Sequence, residues 1–338
     1  MDNYIVSARK YRPSTFRSVV GQKSLTTTLK NAIQSNKLAH AYLFCGPRGV
    51  GKTSCARIFA KTINCLNPTA DGEACNECES CKAFNEQRSY NIHELDAASN
   101  NSVDDIRALI DQVRIPPPIG KYKVFIIDEV HMLSSAAFNA FLKTLEEPPA
   151  YAVFLLLAEN QTAFLPTILS RTVTLHIRPL PDTMVADYLE KKKGLSPADS
   201  AVYAAYAQGS IGQALDLLED ESFQQMRQEI LEKLMALPQA KKGEVFLWAK
   251  DLEKYKNDLR FLDMMQLWYR DLLYAKRLRS EKDLIQKDKK AEIFRSAVES
   301  EGELARKAAL IQRARVQLAR NANFRLTMEV MLLQLKEN

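Results

Sequence analysis

The 338-residue chain is short of several things. It has 11 Gly, 13 Pro and no low-complexity tract or internal repeat, which excludes collagen-like and largely disordered classes. Its longest apolar run, Ala152 to Ala158, falls far below the roughly 20 residues that a membrane-spanning helix needs. It has little excess of either charge: net +6, with the 26% charged residues spread over both halves. Charge alone therefore does not demand nucleic acid, though it permits weak attraction to phosphate. No apolar block separates Asp2, Arg9, Lys10 and Arg12 in the manner of a secretory leader, so a cytoplasmic location without a membrane is expected. Cysteine is sparse, six in all, yet four fall between residues 65 and 81. In a cytoplasmic chain that clustering asks for a metal rather than disulfides.

What is present is a change of pattern along the chain. In the first 180 residues, short apolar runs alternate with helical periodicity. Strands are expected at Ala41–Cys45, Asn91–Leu95, Val124–Ile127, Val153–Leu157 and Val173–Ile177. Continuous apolar strands separated by helices are the signature of a parallel sheet covered on both faces. After Pro179-Leu180-Pro181 everything reads as helix, with apolar residues at three- and four-residue spacing. Lys282 to Lys290 reads as a charged loop or solvated turn.

Gly46-Pro47-Arg48-Gly49-Val50-Gly51-Lys52-Thr53 fits the phosphate-loop pattern at every fixed position, between an expected strand and an expected helix. Glycines let backbone N–H groups converge on phosphate oxygens, and the helix N-terminus faces the same anion. Lys52 is expected to reach the β- and γ-phosphates, and the Thr53 hydroxyl to hold Mg²⁺ with ATP. Asp128 and Glu129 follow an apolar strand, where Asp128 would orient the metal's water shell and Glu129 polarise an attacking water. His131 reads as a supporting histidine. Cys65, Cys75, Cys78 and Cys81 are spaced C-x9-C-x2-C-x2-C. Two-residue gaps let neighbouring thiolates wrap one ion, and four thiolates suit a closed zinc site; the bland alternative is a loop of reduced thiols. Cys45 and Cys55 read as small packing residues, and Trp248 and Trp268 as core or interface. Arg171, before the fifth strand, is either a surface arginine or a finger for a neighbour's nucleotide. Lys191 to Lys193, and Arg313, Arg315 and Arg320, read as solvated charge.

The phosphate loop, the four-cysteine insert and the string Asp128-Glu129-Val130-His131 together resemble the bacterial DNA polymerase III clamp loader, an AAA+ assembly. Residues 1–153 look like its gamma/tau subunits. The matching strings are Ala8-Arg9-Lys10-Tyr11-Arg12-Pro13, Val19-Val20-Gly21-Gln22, Leu95-Asp96-Ala97-Ala98-Ser99-Asn100-Asn101 and Leu142-Lys143-Thr144-Leu145-Glu146-Glu147-Pro148-Pro149. Residues 154–338 look closer to the delta-prime subunit. There Ala158-Glu159 and Thr172 depart from the gamma/tau pattern, and Gly209-Ser210-Ile211-Gly212-Gln213-Ala214-Leu215 carries Gly212 where gamma/tau has an arginine. Asn321-Ala322-Asn323-Phe324-Arg325-Leu326-Thr327 is also delta-prime-like.

The resemblance implies an α/β AAA+ P-loop domain over residues 1–179, with a zinc-binding insert at 65–81. A small helical lid at 180–224 and a helical collar domain at 225–338 would follow. It implies that the segment Ala8 to Pro13 lines the adenine site. It raises Arg171 to an arginine finger. It further implies an ATPase with ATP, Mg²⁺ and Zn²⁺, no polymerase site of its own, and partners in a ring of loader subunits, a sliding clamp and primed DNA. A delta-prime-like stator with little hydrolysis is the alternative, and a different AAA+ motor is a further rival.

Overall fold

The computed structural model describes residues 12–164, 166–278, 280–281 and 284–337. The start of the expected adenine segment, Ala8 to Tyr11, lies outside them. The chain divides into two compact units. One comprises the residues up to Leu180 together with Gly209–Gln213; the other comprises Pro181–Gln208 and the residues from Ala214 on.

The first unit is built on five parallel strands: β1 (Ala41–Cys45), β2 (Ile92–Asp96), β3 (Lys123–Asp128), β4 (Ala152–Ala158) and β5 (Val173–His176). Their spatial order is β2-β3-β4-β1-β5. Among the described residues, six α-helices accompany them: α1 (Lys23–Gln34), α2 (Lys52–Ile63), α3 (Glu79–Asn85), α4 (Val103–Val113), α5 (Ser135–Glu146) and α6 (Pro166–Leu169). Side chains alternate across the sheet, so the apolar strands feed two cores. One face sends Tyr42, Phe44, Ile126 and Leu155 against Leu29 of α1 and Phe59 of α2. The other sends Leu43, Phe125, Ile127 and Phe154 against Ile106 of α4 and Phe141 of α5. Each such fully buried side chain contributes about 1.5–3 kcal/mol relative to exposure.

The three central strands are buried almost throughout, as their unbroken apolar runs require. The outer pair differ. In β2 and β5 only Ile92 and Leu175 are buried, and Val173 is 42% exposed although it shares a face with Leu175, so the sheet edge and strand start are open there. Helix ends follow side-chain chemistry. Ser102 caps α4 reciprocally with Asp105, and Ser134 accepts from Ala137 N–H to start α5.

The second unit is helical, and its core gathers Phe223, Phe261, Met265, Trp268, Leu304, Ile311 and Met328. Trp268 is buried there, and Trp248 is partly buried with the Lys233 ammonium over its ring. Of the loop or solvated turn expected at 282–290, residues 284–286 do form an irregular loop and Lys287, Asp288 and Lys290 are exposed, but the expectation of solvation fails at two positions. Leu284 and Gln286 are 2% and 0% exposed, and the buried carboxylate of Asp271 accepts the backbone N–H groups of Ile285 and Gln286. Lys282 and Asp283 lie outside the described residues. The charged letters on either side concealed an anchor that a distant aspartate supplies.

Candidate nucleotide site and metal centre

β1 ends at Cys45, and the chain turns through Gly46–Gly51 into α2. Gly46 permits a close approach that any side chain would block: a Cβ there would lie 2.3 Å from the Ile177 carbonyl oxygen. Gly49 and Gly51 have φ of +81° and +101°, a region that favours glycine. The loop ends at the first turn of a twelve-residue helix, whose unpaired N–H groups and dipole favour an anion. Lys52 is 5% exposed and lays its ammonium across the loop, donating to the carbonyls of Gly46 (2.8 Å) and Pro47 (3.0 Å). Pro47 and Arg48 are exposed and Val50 is partly so, leaving the outer rim of the loop accessible.

Thr53 Oγ1 donates to Asp128 Oδ2 at 2.7 Å, joining the first turn of α2 to the tip of β3. The other oxygen of Asp128 accepts the N–H of Glu129 at 3.0 Å. That bond helps hold Glu129 at φ +49°, a left-handed conformation that costs a residue other than glycine about 1–3 kcal/mol. His131 Nδ1 lies 3.5 Å from Glu129 Oε2, consistent with a supporting role for the histidine. Lys52, Thr53, Asp128 and Glu129 thus gather at the C-terminal edge of the sheet, where open α/β folds bind ligands. A hydroxyl and a carboxylate in contact form a hard oxygen donor set of the kind Mg²⁺ takes with a nucleotide.

Arg171 joins none of these residues. Its guanidinium pairs with Glu146 at 3.1 Å and donates to the Thr167 carbonyl, and its side chain is 37% exposed. Cys45 and Cys55 are buried beside the loop. Burial pushes both thiols up, Cys55 to about 12, as suits packing residues rather than nucleophiles.

Sequence reasoning passed over Ser210. Its hydroxyl donates to the Gly49 carbonyl (2.7 Å) and accepts the N–H of Gln213 (3.1 Å), so one side chain caps the helix Ile211–Glu219 and touches the phosphate loop. The two positions are 161 residues apart. The Gly-Ser pair was the only local signal.

The four insert cysteines converge: their sulfurs all lie within 4.8 Å of one another, with Cys65–Cys75 at 3.5 Å and Cys65–Cys78 and Cys75–Cys81 at 4.0 Å. Tetrahedral zinc–thiolate bonds of about 2.3 Å require sulfurs about 3.8 Å apart, so the donor set fits that ion. The backbone is arranged for thiolates. Cys65 Sγ accepts the N–H of Cys75, while Cys75 Sγ accepts those of Glu77 and Cys78, at 3.3–3.4 Å. The donors from Glu77 and Cys78 pull the Cys75 thiol down to about 6, whereas burial pushes Cys65 and Cys81 up.

Two charged residues tie the insert to the domain. Glu73 accepts the N–H groups of Phe16 and Arg17, both at 2.9 Å, and pairs with Lys30 of α1 at 2.8 Å. Lys61, 3% exposed near the end of α2, donates to Asn76 Oδ1 at 2.6 Å and Asn85 Oδ1 at 3.3 Å. Burial lowers its ammonium below the ordinary lysine range; Cys81, Cys65 and Glu73 oppose that and Arg57 adds to it.

Among known proteins, the family described as DNA polymerase III, delta subunit, matches residues 21–181. The tau/gamma subunit of DNA polymerase III from Haemophilus influenzae is 46% identical over 222 residues, covering 64% of this chain and 32% of that protein. The tau subunit of Bacillus subtilis is 36% identical over 319 residues, 88% of this chain and 56% of that protein. The gamma subunit of Buchnera aphidicola is 37% identical over 222 residues, 64% of this chain and 61% of that protein. The chain thus spans between about one third and three fifths of the length of these relatives.

A DNA polymerase III gamma subunit-related protein of Thermotoga maritima aligns structurally over 92% of this chain and 98% of its own, at 21% identity and a TM-score of 0.45. The RuvB branch-migration motor of the same organism aligns over 85% and 90%, at 16% identity and a TM-score of 0.44. The Bacillus alignment necessarily extends past residue 153, into the part where delta-prime likeness was expected. With its five-stranded parallel sheet and phosphate loop, the chain is similar to the tau and gamma subunits of DNA polymerase III, and these relatives support the gamma/tau-like reading over the delta-prime alternative.

Proposed function

We propose that the chain is an ATP-hydrolysing subunit of a clamp loader, acting in a ring with homologous subunits to place a sliding clamp on primed DNA. The observation that carries the enzymatic reading is the Thr53–Asp128 hydrogen bond at the mouth of a complete phosphate loop. Backbone N–H groups of Gly49 to Lys52 bind the phosphates, and the Lys52 ammonium turns from its loop carbonyls toward the β- and γ-oxygens. Thr53 and Asp128 would hold the magnesium that accompanies ATP, which neutralises phosphate charge. Glu129 orients the attacking water and draws its proton. Arg171 is released from Glu146 to reach a neighbouring subunit's γ-phosphate, where a fork of donors matches the developing charge.

Cys65, Cys75, Cys78 and Cys81 would hold one zinc ion, whose contribution is structural because four thiolates leave no open position. The helical segment 180–224 serves as a lid and 225–338 as the collar that holds the ring. Among the described residues no helix is long and apolar enough to cross a membrane. The deciding experiment is steady-state ATP turnover of the chain, alone and with the other loader subunits, clamp and primed DNA. Stimulation by the complete mixture that disappears in Glu129→Gln is the expected result. Turnover that is unmoved by partners, or equal in Glu129→Gln, overturns the proposal.

A further inference from the structure

Lys61 poses an electrostatic problem. It is 3% exposed, and its hydrogen-bond partners are two neutral amides, Asn76 and Asn85. The nearby carboxylate of Glu73 is already engaged by two backbone N–H groups and Lys30, and Arg57 one turn earlier adds a second cation, paired to Glu94. A buried ammonium without an adjacent anion is strongly destabilising. The cysteine cluster reaches this ammonium through Asn76, which lies between Cys75 and Cys78 and accepts its hydrogen bond, so the cluster's sulfurs are the groups that could compensate it. Four neutral thiols supply no charge. Four thiolates around a divalent ion carry a net charge of −2, and they form when the metal enters.

We propose that Lys61 is the built-in counter-cation of the metal–thiolate centre. It is held against that centre by Asn76, which sits at φ +61° between Cys75 and Cys78. The inference rests on the reading of the cysteine cluster as a divalent-metal site and assigns that site a positioning residue on the helix that opens with Lys52 and Thr53. Its distinguishing consequence is a change of sign. With metal bound, the positive charge stabilises the centre; without metal, the same charge is an uncompensated burden.

The test uses the full chain carrying Lys61→Met, Lys61→Gln or Lys61→Arg. Each is made in the native background and in one where Cys75→Ser and Cys78→Ser remove the metal. Metal content is measured on fresh protein, zinc loss is followed with a chromogenic chelator, and thermal unfolding is recorded for all. Lys61→Met is expected to weaken zinc retention roughly 10–100-fold, the range seen for residues that support metal ligands. Lys61→Gln, which keeps an amide for hydrogen bonding but no charge, follows it and stands in should Lys61→Met not fold. Lys61→Arg retains much of the affinity. In the serine background Lys61→Met leaves the melting temperature unchanged or raises it.

Native zinc retention in both neutral variants, or an equal drop in melting temperature in both backgrounds, overturns the proposal and reduces Lys61 to a tether for two asparagines. If the unsubstituted protein purifies without metal, the metal reading itself fails and takes this inference with it. That outcome is told apart from the others by the first measurement.

Discussion

The two ends of helix α2 solve opposite problems. At Lys52 and Thr53 the site is made of backbone: a loop set by β1, clamped beneath Ile177, with two side chains added. At Lys61 the site is made of side chains: four sulfurs, two asparagines and an ammonium in a loop with little core of its own. The first geometry is set by the buried sheet. The second is held by the groups that would bind the metal, so on the proposed metal reading its stability should depend on occupancy. Lys52 and Lys61 are nine residues apart on this helix, about 14 Å along its axis, far enough for substitutions at one to leave the other nearly untouched.

Perturbations of the nucleotide end should have the largest effects. Arg171→Ala in a reconstituted loader is expected to cut assembly turnover by up to about 10³–10⁵-fold while this subunit's own ATP affinity holds; undiminished turnover returns Arg171 to a surface ion pair with Glu146. Glu129→Gln should lower turnover by roughly 10²–10⁴-fold with ATP still bound, measured by calorimetry beside single-turnover kinetics. For Lys52→Ala, ATP affinity itself should fall about 10–100-fold, the worth of one charge-assisted hydrogen bond. A loss of binding in Glu129→Gln as deep as in Lys52→Ala would contradict the division of roles.

At the other end, Cys78→Ser should strip the metal and open the loop 65–81 to protease. ATP affinity should change by no more than about twofold, because the sites are distant. A larger loss would show that the two ends of α2 are not independent. The smallest effect belongs to Ser210→Ala. Removing a neutral hydrogen bond to the phosphate loop costs about 0.5–1.5 kcal/mol, a shift of roughly two- to tenfold in nucleotide affinity, with Ser210→Thr restoring part of it.

The sheet and the phosphate loop were legible because their signals are local. Short unbroken apolar runs rich in β-branched and aromatic residues, such as Val124–Ile127, favour buried strands over helices, and the glycine spacing fixes the turn. The edge character of β5 was not legible, since Val173 reads as apolar wherever it lies and only its neighbours decide its burial. Lys61 and Ser210 were missed for the same reason. A lysine in a helix and a serine after a glycine look ordinary until residues 15 and 161 positions away arrive beside them. The cysteines were found by spacing, but the charge balance around them needed coordinates.

The strand order also carries a schedule. β1 bears the phosphate loop, yet its two neighbours in the sheet are β4 and β5, with Ala41 opposite Phe154. During synthesis the loop therefore waits, its strand unpaired, while more than a hundred further residues are added. At ribosomal rates that is a delay of roughly 5–25 s. For that interval an apolar strand with free edges is exposed to aggregation and to chaperones. A nascent chain stalled before Ala152 should hold no nucleotide, and one that has released Ile177 should hold it.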